Sequence, residues 1–178
     1  MLFKADSDKS EVLGNNILTY ISGMGAFEGI GRQILKDYGF EVNVSPEKWY
    51  NHQHFLDVVE EIAKQTGPHT ITLIGMRISE RLKLPPEINN VEKAFQWIDD
   101  AYRINHRGDI HSHKKFINSG EKTGYVICET PYPCELDTGY LKGLINRLAS
   151  GSEIEVLHVS TEPCRKNGAN SCTYYVKW

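Results

Sequence analysis

The chain lacks a marked excess of either charge. Its 178 residues hold 20 Lys and Arg against 23 Asp and Glu, a formal net charge of −3. A protein without a basic stripe has no electrostatic footprint for nucleic acid. No apolar run approaches the roughly 18 residues of a membrane span. The opening MLFKADSDKS has no apolar signal-peptide core. Repeats and low-complexity tracts are absent, as are a Ser-His-Asp set and a nucleotide fingerprint. Gly23, Gly25, Gly29 and Gly31 crowd together, but no Lys-Ser/Thr closes a phosphate loop and no strand precedes it. These absences predict a cytoplasmic protein with no nucleic-acid partner and no membrane span. Cysteine is scarce, at four residues. In a reducing compartment such thiols are metal ligands or reactive groups rather than disulfides.

What remains is an ordinary globular composition, with length for a single domain over 1–178 and a sizeable core. Residues 1–10 are polar and expected to fray. Glu11–Ser22 reads as a short helix carrying Val12, Ile17, Leu18 and Ile21. The glycine cluster reads as a turn before a helix with Phe27, Ile30, Ile34 and Tyr38 on one face, ended by Gly39. Ser45-Pro46 marks a helix start. That helix carries Phe55, Val58, Val59 and Ile62 and ends near Thr66-Gly67-Pro68. His52 and His54 within it read as surface residues. Ile71, Ile74, Ile78 and Leu82 form the next stripe. Val91, Ala94, Phe95, Ile98 and Tyr102 form another, begun at Asn89-Asn90 and stopped by Gly108.

After Gly108 the period changes. Asp109–Asn118 is short and mixed, and its His111 and His113 would share one face of a strand. Gly124–Glu129 (GYVICE) reads as a strand by residue type. Leu136, Tyr140, Leu144, Ile145 and Leu148 form a helical stripe, and Glu153–Val159 and Thr173–Trp178 are two closing strands. The predicted class is α+β: N-terminal helices followed by an antiparallel four-stranded sheet, with one helix inserted between the strand pairs.

The chemistry-bearing stretch is Cys164–Cys172 (CRKNGANSC), a polar turn between the last two strands. Such a turn brings both thiols to one point. Cys134, at the start of the inserted helix, is a third candidate, because a helix N-terminus favours a thiolate. Zinc takes four ligands in a tetrahedron. Glu162 is the nearest carboxylate for the fourth place, with Cys128 and His158 as alternatives.

The segment from Cys134 to Trp178 resembles the C-terminal half of the 4-vinyl reductase domain family, in particular the sensor domains of phenol-responsive transcription activators. The likeness rests on Cys134, Gly139-Tyr140, Gly143, Cys164-Arg165, Gly168 and Cys172, in that order. It implies a structural zinc held by the three cysteines and a glutamate just before the second. The family's glutamate falls at Thr161 by strict count, one place from Glu162. The order of helices then sheet also resembles the wider superfamily of haem-based nitric oxide/oxygen sensors and TRAPP-type trafficking subunits. The haem sensors use a helix histidine and a Tyr-x-Ser-x-Arg motif. Here Tyr102 stands in the histidine's place and the motif stretch reads CETPY, so no haem ligand carries over.

The resulting expectation is a small-molecule sensor with a structural zinc, acting through a signalling partner. Trp97, Tyr102 and His106 are the candidate ligand-binding residues. They would line an apolar cavity between the Val91–Arg107 helix and the sheet, closed by Gly124–Glu129. The expected ligand is small, apolar or aromatic or acyl, with a polar end near His106. A homodimer is expected through Phe3, Val12, Ile17 and Ile21. The rivals are a haem-based gas sensor, an accessory subunit of a tetrapyrrole reductase and a trafficking-type assembly module.

Overall fold

The structure, a computed structural model, describes residues 3–41, 43–149 and 153–178. Strand β1 (Glu11–Leu13) leads into helix α1 (Gly14–Gly23), and α2 (Glu28–Asp37) follows. Strand β2 (Trp49–Asn51) runs directly into the long α3 (His52–Arg81). Short helices α4 (Val91–Gln96) and α5 (Ile98–Ile104) precede β3 (His106–Arg107), β4 (His113–Gly120) and β5 (Thr123–Glu129). Helix α6 (Cys134–Leu148), β6 (Glu155–His158) and β7 (Cys172–Lys177) complete the chain. The main sheet has the order β4-β5-β7-β6, all antiparallel, with α6 inserted between its two strand pairs. This is the α+β arrangement expected from the sequence.

Several local expectations differ. A second sheet, β2-β1-β3, takes Glu11–Leu13 and Trp49–Asn51 out of their expected helices. Three residues are too short to show a period, so pairing decided them. Helix α3 therefore starts at His52, capped by the Asn51 side chain, which accepts from His54 N. Pro46 lies in a turn. His52 is not a surface residue: it is fully buried. Helix α3 breaks at Gly67, whose φ of 76° is left-handed, just before Pro68. Helix α2 buries Gly31, Ile34 and Leu35 and leaves Phe27 and Ile30 outside, a face rotated from the expected one. The start of the chain is tethered from Phe3 onward, while residues 1 and 2 lie outside the described residues. Asp6 accepts from His111 N, Ser112 N and Ser112 Oγ at 2.7–2.9 Å.

The face expected to make a dimer is interior. Val12, Ile17 and Ile21 are buried in the core shared by α1 and α3. Uncovered apolar side chains occur instead on the outer face of the sheet. Ile117, Tyr125, Tyr175 and Leu157 stand in register across its four strands.

Helices α3 and α6 pack backbone to backbone, and glycines permit it. A Cβ on Gly139 would lie 1.9 Å from Thr72 O, and one on Gly75 would lie 2.2 Å from Leu136 O. Arg147 on α6 seals the end of α3 by donating to the carbonyls of Ser79 and Leu82 at 3.2 and 2.6 Å, groups that a helix end otherwise leaves open. Gly139→Ala should therefore cost about 1–3 kcal/mol by overpacking. Gly29→Ala, at an exposed helical site with nothing within 4 Å, should gain roughly 0.5–1 kcal/mol. Denaturant unfolding of the two variants checks the contrast.

Candidate ligand and metal site

Strand alternation and the α6 start bring the cysteines together. Cys172 opens β7, Cys134 opens α6, and Cys164 lies on the turn between β6 and β7. The Sγ–Sγ distances are 3.2 Å (Cys134–Cys172), 3.8 Å (Cys134–Cys164) and 3.9 Å (Cys172–Cys164). All the cysteines are free. His158 joins them: the four ligand atoms of Cys134, His158, Cys164 and Cys172 lie within 4.8 Å of one another. Buried His158 Nε2 has no hydrogen-bond partner. Glu162 is exposed on the turn and is not one of this group. Cys128 is buried deeper in the sheet, paired with Cys172 in register, and burial pushes its thiol up to about 12. His111 and His113 stand apart from the group; His113 Nε2 lies 3.8 Å from Glu129. The signal for His158 was alternation: it shares the inward face of β6 with Val156.

Cys172 Sγ accepts from Arg165 Nε at 3.3 Å. The hydrogen bond from Cys134 pulls the Cys172 thiol well below its ordinary value against burial, with Arg165 adding to the pull, while Cys134 is pushed up. Arg165 also bonds to Asp137 Oδ2 and to the carbonyl and hydroxyl of Thr130. The other Asp137 oxygen accepts from Lys114 Nζ at 2.8 Å. Asp137 is buried, and the side chains of its two partners are only 10% exposed. Burial alone would raise the Asp137 carboxyl, but Lys114 and Arg165 outweigh it and hold it low. Lys114 Nζ further sits 4.9 Å from the centre of the Tyr140 ring. Asp137 and Lys114 were not among the expected site residues. Their signal was charge at a core position: Asp137 stands one turn before Leu141 on α6, and Lys114 shares a strand face with Phe116.

Lys114 and Asp137 form one wall of a half-open pocket of about 80 Å³, which adjoins the outer groove through Ala101 and Asn105. Tyr20, Ala101, Tyr102, His106, Tyr132 and Tyr140 form much of the rest. Two expected residues, Tyr102 and His106, are thus brought together, with rings stacked at 4.0 Å. Trp97 is not with them. It is half-buried in an outer groove beside Leu13 and Ile104. The strand Gly124–Glu129 does not line the cavity, which lies among the helices and the start of β4 rather than under the sheet.

The buried histidines form a chain with fixed tautomers. His106 Nδ1 lies 2.8 Å from the Tyr102 carbonyl, which can only accept, so Nδ1 carries the proton. Nε2 then accepts from the Tyr132 hydroxyl at 2.8 Å. The Tyr132 oxygen accepts in turn from His52 Nε2–H at 3.2 Å. That leaves His52 Nδ1 with a lone pair and no donor, and it is unpartnered. Burial pushes His52 down to about 4, and burial with the neighbouring His52 pushes His106 down to about 3. The hydroxyls of Tyr20 and Tyr102 are buried without a hydrogen bond of ordinary geometry, and the Ser112 side chain neighbours that of Tyr102.

No protein-family model and no curated protein matches this chain. Solved structures do. An H-NOX protein from S. oneidensis in the Fe(II)NO ligation state aligns at a TM-score of 0.69 and 14% identity, over 93% of this chain and 98% of that one. An oxygen-binding H-NOX domain related to soluble guanylate cyclases, solved as its oxygen complex, aligns at 0.65 and 14% identity, over 92% and 93%. At this identity the likeness is one of fold. The expected 4-vinyl reductase family is not confirmed by these comparisons. Among the described residues no helix is long and apolar enough to cross a membrane.

Two outcomes follow. Asp137→Asn leaves two buried cations without their carboxylate and should cost about 3–5 kcal/mol, measured by denaturant unfolding. Stability should also fall with acid in two stages. From pH 6.5 down towards 4 and 3, the unfolded chain protonates His52 and His106 while the folded chain does not. Below the ordinary carboxylate pKa, the depressed Asp137 adds a loss that continues until the folded carboxyl itself protonates. Unfolding curves across pH check both stages, and Asp137→Asn should abolish only the second.

Proposed function

We propose that this chain is a ligand-sensing domain on the H-NOX fold, with a structural metal in its C-terminal hairpin, that signals through a partner protein. One observation carries the reading. A pocket among the helices shares Asp137 with the cysteine cluster, through Arg165, so a change at one reaches the other through bonded charges.

The metal is argued from donor geometry. Zinc–sulfur bonds of about 2.3 Å in a tetrahedron set sulfurs about 3.8 Å apart. Two of the three sulfur distances are 3.8 and 3.9 Å. His158, with its open nitrogen, supplies the fourth donor in this reading, in place of Glu162. Charge supports it: three thiolates and a neutral imidazole around a divalent ion carry −1, while Lys114, Arg165 and Asp137 together carry +1. Buried charges are retained when they are paired. With all four positions filled by protein, the metal's role is to fasten the β6–β7 turn to α6, not to activate water.

The fold neighbours favour a haem-based gas sensor as the second reading, ahead of a phenol-type sensor. The residues of this chain do not fit a haem. Tyr102 stands where those sensors carry a histidine, both nitrogens of His106 are already bonded, and a cavity of about 80 Å³ is about half the 150 Å³ that admits one benzene ring. The same comparison sets aside an aromatic ligand in favour of a smaller one.

The test is metal analysis and an absorption spectrum of protein purified without chelator. About one equivalent of zinc and no Soret band are expected. Cys164→Ser and His158→Ala should lower the melting temperature and the zinc content, and Glu162→Ala should change neither. A Soret band after incubation with haemin would favour the haem reading instead.

A further inference from the structure

We propose that the cavity between α1, α3, α5 and α6 binds an uncharged molecule of about three to five non-hydrogen atoms that carries a hydrogen-bond-accepting oxygen, such as a short ketone, aldehyde or amide. This rests on the sensor reading and narrows it to a ligand class.

Size comes first. The cavity measures about 80 Å³, against 150 Å³ for an engineered cavity that takes benzene. A chain of a few heavy atoms fills it, whereas a six-membered ring would have to extend into the adjoining groove, with which the pocket shares Ala101 and Asn105. Charge comes second. The ionic groups in the wall are Lys114 and Asp137, bonded to each other at 2.8 Å. The second Asp137 oxygen is taken by Arg165. His106, the imidazole in the wall, has both nitrogens bonded, one donating and one accepting. A charged ligand would enter without a counter-charge, and burying an unpaired charge is costly.

Polarity comes third. Tyr20 and Tyr102, both in the wall, have buried hydroxyls without a hydrogen bond of ordinary geometry, the second with the Ser112 side chain beside it. Tyr132, also in the wall, is by contrast fully engaged between His106 and His52. Native interiors rarely leave such groups open, and each one calls for an explanation. A phenol without a partner offers its proton. A carbonyl oxygen has two lone pairs and accepts from either or both. A purely apolar guest would leave both hydroxyls unsatisfied.

The experiment is an NMR titration of the full, metal-loaded chain with four probes: acetone, acetate, phenol and propane-saturated buffer. Acetone should give saturable shifts centred on Tyr20, Ala101 and Tyr102. Acetate and propane should bind at least about tenfold more weakly, the worth of one lost hydrogen bond or one unpaired charge. Phenol should not bind. Tyr20→Phe and Tyr102→Phe should each weaken acetone about tenfold with unchanged or higher melting temperature. Ala101→Val, which fills the space, should abolish binding. If one Tyr variant fails to fold, the other and Ala101→Val still decide. Acetate or propane binding as tightly as acetone would overturn the ligand class and leave the sensor reading standing. So would saturable binding of phenol in this cavity. If none of the probes binds saturably, the inference falls, and the sensor reading is decided separately by the metal analysis and the absorption spectrum.

Discussion

The shared carboxylate of Asp137 is the constraint on which this structure turns. It sits on the buried face of α6, and three elements reach it: Lys114 comes from β4, Arg165 comes from the β6–β7 turn, and α6 carries the acid itself. Each of these groups would be expensive to bury alone. Together they must arrive at one point, so the pairing fixes β4 against α6 and pulls the cysteine turn inward. Arg165 then spends its remaining donors on Thr130 and on Cys172, and the thiol cluster is oriented by the same side chain that holds the acid.

The glycines of the α3–α6 crossing make that arrival possible. Gly75, Gly139 and Gly143 have no space for a Cβ, so the two helix backbones meet directly. A larger separation would lift Asp137 and Cys134, both on α6, away from their partners. The crossing is a packing requirement, but its consequence is chemical: it sets the depth of the carboxylate and of one thiol of the cysteine cluster at once.

On the other side of Asp137 the domain is held by neutral polar contacts rather than by charge. The chain from the Tyr102 carbonyl through His106 and Tyr132 to His52 ties α5, the connector before α6 and the start of α3 together. Its members are buried and uncharged. The cavity thus lies between an ionic wall that is internally balanced and a neutral wall whose spare hydroxyls belong to Tyr20 and Tyr102.

The sequence by itself determined the class of fold and much of the cysteine cluster. Period-3.6 stripes such as Val91–Tyr102 and the alternating last strands are local signals, readable because each element buries one face. The turn Cys164–Cys172 and the helix start at Cys134 placed three thiols correctly, since a hairpin and a helix start constrain position locally. The tertiary structure decided the rest. Strands β1, β2 and β3 are two or three residues long and exist only through pairing with one another. His158 rather than Glu162 stands beside the thiols because the register of β6 on β7 points it inward. Trp97 and Tyr102 share one apolar segment, yet only Tyr102 faces the cavity, because the break between α4 and α5 at Trp97 turns the indole outward. The partners of Asp137 lie 23 and 28 residues away along the chain, and no local pattern announces that three charges will meet in the core.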